Sequence, residues 1–317
     1  MRLIVLASGE FARPTLRWLA QSDHEVVTVV TQPARKSGRG QKMARTPAAA
    51  LAEELGIETI APADVNAPEM VARLASQGAR LGLAIAFGQK FGPALLAAFP
   101  EGCINLHASM LPKYRGAAPI NWAVVNGEQR TGCTVFRMVA RMDAGPVLAS
   151  RWTEIKPEET AGELHDRLAG IGVDAVNAAL RSLEQDPVPA GTPQDESQAT
   201  RAPKISKIDG LIRFYRPARA VANHICGMTP WPGAQTRYAS KEGRWENVAI
   251  TRARPAEDPA PPGAPPGSID ARRYVAAADR YLELLEIKPS SGRNMAWAEY
   301  VNGRHVAVGD MFVSLEA

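Results

Sequence analysis

The sequence predicts an α/β first domain with a mostly parallel sheet, followed by a small β-barrel or sandwich domain. Three observations lead there. Near-continuous apolar runs alternate with segments of helical spacing through the first 127 residues, the rhythm of a parallel sheet covered on both faces. A stretch rich in Pro, Gly, Ser, Thr, Gln and Asp, "DPVPAGTPQDESQATRAP" (186–203), then breaks all periodicity and suits an extended linker. Beyond it, short strand-like runs are separated by Gly and Pro. The domains expected are 1–185, a linker over 186–205, and 206–317.

Taken in order, "RLIVLA" (2–7) is a buried strand, and Phe11, Leu16 and Leu19 give 11–22 a helical stripe. "EVVTVVTQ" (25–32) is Val-rich and strand-like. A helix over 46–56 has Thr46 as N-cap, Pro47 in its first turn and Gly56 as its stop. A helix over 65–78, a strand over 81–88, a helix from 92 to 100, a strand over 102–109 and a helix over 118–127 follow. Residues 131–155 read as two strands around a turn at Asp143–Pro146, and 160–185 as one long amphipathic helix or two. In the second domain, 218–228 is helical, and "AQTRYA", "NVAITRARP", "GSIDA", "RYLELLEIKPS" and "HVAVGDMF" are strand-like.

Composition narrows the function classes. With 45% hydrophobic and 22% charged residues, the chain is an ordinary globular protein. Three scattered cysteines make neither a disulfide framework nor a zinc site, and a reducing cytoplasm fits them. No run is long enough for a signal peptide or a membrane span. The first 200 residues carry 20 Lys/Arg against 21 Asp/Glu, and the rest 17 against 12. A basic second part suits a polyanionic partner, and it suits a plain solvated surface equally well.

The chemistry concentrates in "CINLHASMLPKYRGAAPINW" (103–122). Asn105 and His107 sit two apart on a strand, so they share one face. Ligands of open parallel sheets lie beyond the carboxyl ends of the strands, where an amide can donate to a developing oxyanion and an imidazole can move a proton. Asp143, in "RMDAGPVL", is either a third member of this group or a turn residue, since Asp-Ala-Gly is good turn chemistry. His24, His165, His224 and His305 read as surface or packing residues. "LASGEFARP" lacks Gly-x-Gly-x-x-Gly, and no phosphate-binding Gly-Lys-Ser/Thr loop exists, which disfavours dinucleotide and nucleoside-triphosphate enzymes. The loop "QPARKSGRGQKMART" (32–46) carries Arg35, Lys36, Arg39, Lys42 and Arg45 and no acid, so it is either a phosphate grip or a solvated loop.

With these segments set out, "CINLHASMLPKYRGAAPINWAVVNGEQRTGCTVFRM" and "RMDAGPVL" resemble the methionyl-tRNA formyltransferase family. So do "AIAFGQKFGP", "SGRGQK", "KISKIDGLIRF" and "MTPWPGA", and the resemblance covers nearly the whole chain. It implies a Rossmann-like catalytic domain and an OB-like C-terminal domain that binds tRNA. It implies formyl transfer from 10-formyltetrahydrofolate, without a metal, to the α-amino group of methionyl initiator tRNA. Asn105, His107 and Asp143 take the catalytic positions; Phe87, Gly88, Gln89, Ser109, Met110, Leu111 and Pro112 take the folate positions; Arg35, Lys36, Arg39 and Lys42 take the tRNA positions. The chain departs from the family pattern at Ala7-Ser8-Gly9, Arg80 and Met110. The expectation is a monomeric cytoplasmic enzyme of translation initiation. The rivals are a sugar-nucleotide N-formyltransferase, which needs neither the basic loop nor a basic second domain, and a non-catalytic RNA-binding protein.

Overall fold

The computed structural model describes residues 1–37, 42–187 and 190–315. Packing divides the chain into two compact units. The first gathers Met1–Gly116, Thr131–Thr153 and His165–Arg201; the second gathers Ala117–Arg130, Glu154–Leu164 and Ala202–Ala317. Among the described residues no helix is long and apolar enough to cross a membrane.

In the first half of the chain the elements are β1 (Arg2–Ala7), α1 (Arg13–Ala20), β2 (Glu25–Val30), β3 (Arg35–Ser37), β4 (Lys42–Ala44), α2 (Pro47–Glu54), β5 (Thr59–Ile60), α3 (Pro68–Ser76), β6 (Leu81–Ile85), α4 (Pro93–Leu96) and β7 (Cys103–His107). Each follows from local sequence. The apolar run of β1 is fully buried after Arg2 because helices cover both faces. Thr46 caps α2 by accepting from the Ala49 amide at 3.2 Å, with Pro47 in the first turn as its fixed φ allows. Within the basic segment 32–46, β3 and β4 pair antiparallel, Arg35 with Ala44 and Lys36 with Met43, while 38–41 lie outside the described residues.

The chain continues through β8 (Arg115–Gly116), α5 (Pro119–Val125), β9 (Arg130–Arg137), β10 (Val147–Glu154), α6 (Ala161–Gln185) and β11 (Arg201–Ala202). The long helix is single. Thr160 and Glu163 close its start: Thr160 N donates to the Glu163 carboxylate at 2.9 Å, and Glu163 N donates back to the Thr160 hydroxyl at 3.3 Å.

The first unit holds a seven-stranded sheet in the order β10-β9-β7-β6-β1-β2-β5. β5, β2, β1, β6 and β7 run parallel, and β9 pairs antiparallel with β7. The strand order reverses between β1 and β6, so the ligand crevice of such a sheet opens beyond Ala7 and Ile85. The expected linker does not dangle. Thr192 bridges Val147 with paired amides at 2.8 Å, and β11 pairs with β8. Gln194, Glu196 and Thr200 find partners in neighbouring loops, which composition alone cannot show.

The second unit continues with α7 (Ala218–Gly227), β12 (Ala234–Ala239), β13 (Trp245–Pro259), β14 (Val275–Ala276), β15 (Arg280–Pro289), β16 (Met295–Ala296), α8 (Trp297–Arg304) and β17 (Met311–Val313). Its sheet runs β14-β15-β13-β12-β17 and is antiparallel. Bridges from Ser268 to Met311 and from Ile269 to Val275 carry it close to closure as a barrel. "GSIDA" is therefore two bridges rather than a strand, and only the end of "HVAVGDMF" pairs. Val221, Ala222 and Ile225 of α7 plug the barrel beside Tyr238, Ile250, Leu282 and Phe312. Helix α5 also belongs here: its Asn121 amide donates to the Gly227 carbonyl at 2.8 Å, and Trp122 and Val125 pack on the barrel core.

Candidate active site

Strand β7 alternates as period two demands. Ile104 and Leu106 face one way and are buried; Asn105 and His107 face the other. In register, Asn105 stands between Ala84 of β6 and Phe136 of β9, and His107 beside Thr134. Behind the strand, a Cβ on Gly172 would come within 2.8 Å of Leu106, so α6 presses closely on β7 and fixes its depth.

His107 is 6% exposed, edge-on to Phe136 with centroids 6.5 Å apart. Its Nε2 lies 2.9 Å from the Tyr114 carbonyl. A carbonyl only accepts, so Nε2 carries hydrogen, and Nδ1 is the nitrogen left for chemistry. Nδ1 lies 3.9 Å from Asp143 Oδ2, with both side chains largely shielded from water. That distance is too long for a direct hydrogen bond and leaves the carboxylate as a close neighbour of the ring. The ring is therefore oriented by Tyr114, with the Asp143 carboxylate beside its free nitrogen. Asp143 itself accepts from the Gly116 amide at 2.8 Å. Among the described residues, no group engages the half-buried Asn105 side chain.

Backbone geometry holds these positions. Tyr114 has φ +62 and Asp143 φ +52, both left-handed and both costly for residues with a Cβ. A Cβ on Gly145 would overlap the Arg137 carbonyl oxygen, so the turn after Asp143 can close only on glycine. The structure thus shows Asp143 as both a turn residue and the neighbour of His107.

The expected folate positions divide by role. Phe87 is buried and meets Phe91 edge-on at 5.9 Å, so its side chain builds core. The Gln89 amide is spent on the 62–65 segment: it accepts from Val65 N at 2.9 Å and donates to Pro62 and Ala63 carbonyls at 3.3 and 3.4 Å. Gly88, with φ +88, is exposed after β6. Ser109 is buried, donates to the Lys113 carbonyl at 2.7 Å, and its own carbonyl accepts from Thr134 at 2.7 Å. Met110, Leu111 and Pro112 are half-buried in the same loop, with the Met110 sulfur close against Gly132.

The departures also find places. Ser8 ties the ends of three strands together, donating to the Phe87 carbonyl at 3.0 Å and accepting from Gln32 N at 3.1 Å. Arg80 pairs with the buried Glu101 at the amino ends of β6 and β7, at the opposite end of the sheet from Asn105 and His107.

Arg35 and Lys36 are exposed on β3, with Arg35 donating to Gln32 at 3.0 Å. Arg39 lies outside the described residues; the backbone of Lys42 is in β4, but its side chain lies outside them too. Tyr114, Gly116, Gly145, Arg115 and Gln194 escaped the sequence reading. Gly145 alone left a signal, in Asp-Ala-Gly.

Other chemistries find little here. Burial pushes the Cys103 and Cys133 thiols up to about 12 and Cys226 up to about 11, so none is a ready nucleophile. Among the described residues no three His, Cys, Asp or Glu side chains gather closely enough to hold a metal.

Residues 1–180 match the formyl transferase family, and residues 204–305 match the formyl transferase, C-terminal domain. The chain is 42% identical over 312 residues to a methionyl-tRNA formyltransferase of Solibacter usitatus, covering 96% of each chain. Among solved structures it is similar in fold to an N-formyltransferase of Helicobacter canadensis, determined with folinic acid and dTDP-3-aminofucose. There the TM-score is 0.64 at 14% identity, over 93% of this chain and 99% of that one. It also resembles HypX of Aquifex aeolicus, determined with tetrahydrofolic acid, with a TM-score of 0.59 at 17% identity. That match covers 97% of this chain and 48% of HypX. By sequence over nearly its whole length, the chain belongs to the methionyl-tRNA formyltransferase family.

Proposed function

We propose that the chain transfers the formyl group of 10-formyltetrahydrofolate to the α-amino group of methionine esterified to initiator tRNA. The observation that carries this reading is the convergence of Asn105, His107 and Asp143 at the carboxyl end of β7, in a formyltransferase whose relatives act, by name, on methionyl-tRNA. The donor set suits the folate. An unengaged amide and one imidazole nitrogen sit beside the topological switch point, with Gly88 and the 109–112 loop leaving from neighbouring strands.

When bound, the donor supplies a formyl carbon on a nitrogen able to leave. Asn105 donates to the formyl oxygen as that oxygen gains negative charge. His107, protonated at Nδ1, is the second donor, and Asp143 balances its charge from 3.9 Å. A bond forms from the methionyl nitrogen to the formyl carbon as the bond to the donor nitrogen breaks. The proton lost by the first nitrogen goes to the second, and His107 and Asp143 are the groups placed to carry it.

Arg35 and Lys36 on the hairpin, with Arg39 and Lys42 beyond them in sequence, hold tRNA phosphates, and the basic stretch from residue 201 onward adds to the grip. The enzyme works as a monomer in the cytoplasm; a single-chain mass for the active species in sedimentation checks the first part.

The test offers methionyl-tRNA and an amino-sugar nucleotide as acceptors with the same formyl donor. Formylation of the tRNA alone is expected. Formylation of the sugar nucleotide alone would transfer the reading to the sugar N-formyltransferases.

A further inference from the structure

We propose that Gln194 is a positioning residue for Asp143, the central link of a clasp that residues 192–200 close over the turn that carries Asp143 and the loop whose Tyr114 carbonyl holds His107. The proposal rests on the role given to Asp143 above. Asp143 needs such a link because its left-handed backbone, φ +52, persists only where its surroundings over-determine it. Within the turn itself, the support among the described residues is one long amide contact, Ala144 N to the Arg141 carbonyl at 3.4 Å.

Gln194 supplies the rest. Its Nε2 donates to the carbonyl of Asp143 at 2.8 Å and to that of Gly145 at 2.7 Å, gripping the turn on both sides of its sharpest point. Its Oε1 accepts twice from Arg115, from Nε at 3.1 Å and from the terminal nitrogen at 2.8 Å. Every hydrogen-bonding position of the amide is thereby used, and its orientation is fixed by chemistry. Arg115 is 9% exposed and also donates to both carboxylate oxygens of Glu196, at 3.0 and 2.9 Å. Arg141, on the Asp143 hairpin, meets the same carboxylate at 2.8 Å.

The segment then reaches the other loop. The Thr200 hydroxyl accepts from Tyr114 N at 2.9 Å, and the Thr200 carbonyl accepts from Arg115 N at 2.9 Å. Tyr114 is the residue whose carbonyl holds His107 Nε2, and Gly116 is the one whose amide holds the Asp143 carboxylate. One short stretch of chain therefore sets both partners of the pair. A 1 Å error in such a placement costs about a hundredfold in rate.

Gln194→Glu keeps the size of the side chain and its acceptors for Arg115, but turns oxygen toward two carbonyls where hydrogen was. Gln194→Met removes the donors without adding charge. Both are assayed below their own melting midpoints. Each is expected to lower kcat about tenfold or more, with KM for the formyl donor and for methionyl-tRNA changed less than about twofold. In an Asp143→Ala background each is expected to add nothing, because the residue it positions is gone. Turnover within about twofold of wild type in both variants would overturn the clasp, as would losses that multiply with that of Asp143→Ala. Wild-type turnover in Asp143→Ala alone would instead remove the role of Asp143. Loss there with intact Gln194 variants would remove only the clasp.

Discussion

At the scale of single residues, the site is a matter of which hydrogen bonds are already spent. His107 has one nitrogen committed to Tyr114 and one facing Asp143, while among the described residues the Asn105 side chain is uncommitted. Strand parity placed Asn105 and His107 on one face from sequence alone. The commitment of Nε2 had no signature, because its acceptor is a backbone carbonyl in a left-handed residue. Asp143 was ambiguous for a physical reason: the turn that makes it look structural is the turn that delivers it. Gly145→Ala tests this directly. Its Cβ would collide with the Arg137 carbonyl, so the variant is expected to lose about 1–3 kcal/mol of stability and to lose turnover with it. Wild-type melting and wild-type turnover together would contradict the close approach.

At the scale of elements, periodicity recovered most strands and helices of the first unit, because one apolar face or run dominates each. It missed α8, where the buried residues are Trp297 and Tyr300 in an otherwise mixed sequence. It cut β13 short at its prolines, although Pro255 still pairs with Leu282 where the register is irregular, as prolines in strands do. It read 186–205 as free chain, since Gln194, Glu196 and Thr200 are polar whether they meet water or a loop. A testable element is the start of α6. The Arg252 guanidinium holds the Glu163 carboxyl down to about 2, and Arg252 also donates to the Glu158 carbonyl at 2.8 Å. A depressed carboxylate stabilises the fold above its ordinary value of about 4.5, and that contribution is lost as pH falls towards 2. Glu163→Gln should therefore melt lower than wild type at pH 7, with the gap closing as the pH drops through that window. A gap unchanged by acid would show that the pair contributes nothing.

At the scale of the whole molecule, two units share the chain by interleaving rather than by a clean cut. α5 lies in the first half of the sequence and the core of the second unit, and only packing reveals it. The charge asymmetry between the halves was legible as a bare count, and its meaning depends on the tRNA. Replacing Arg35 and Lys36 together by Ala should weaken methionyl-tRNA binding, flatten the dependence of log affinity on log salt by about two, and leave donor binding alone. An unchanged slope would remove the hairpin from the tRNA contacts. The central claim is that formyl transfer runs through Asn105, His107 and Asp143. Its most direct measurement is the single-turnover rate of formyl transfer to methionyl-tRNA in Asn105→Ala, with donor binding followed in parallel. The expected rate is at least about a hundredfold below wild type with the donor still bound; a rate within a few-fold of wild type would contradict the role of Asn105.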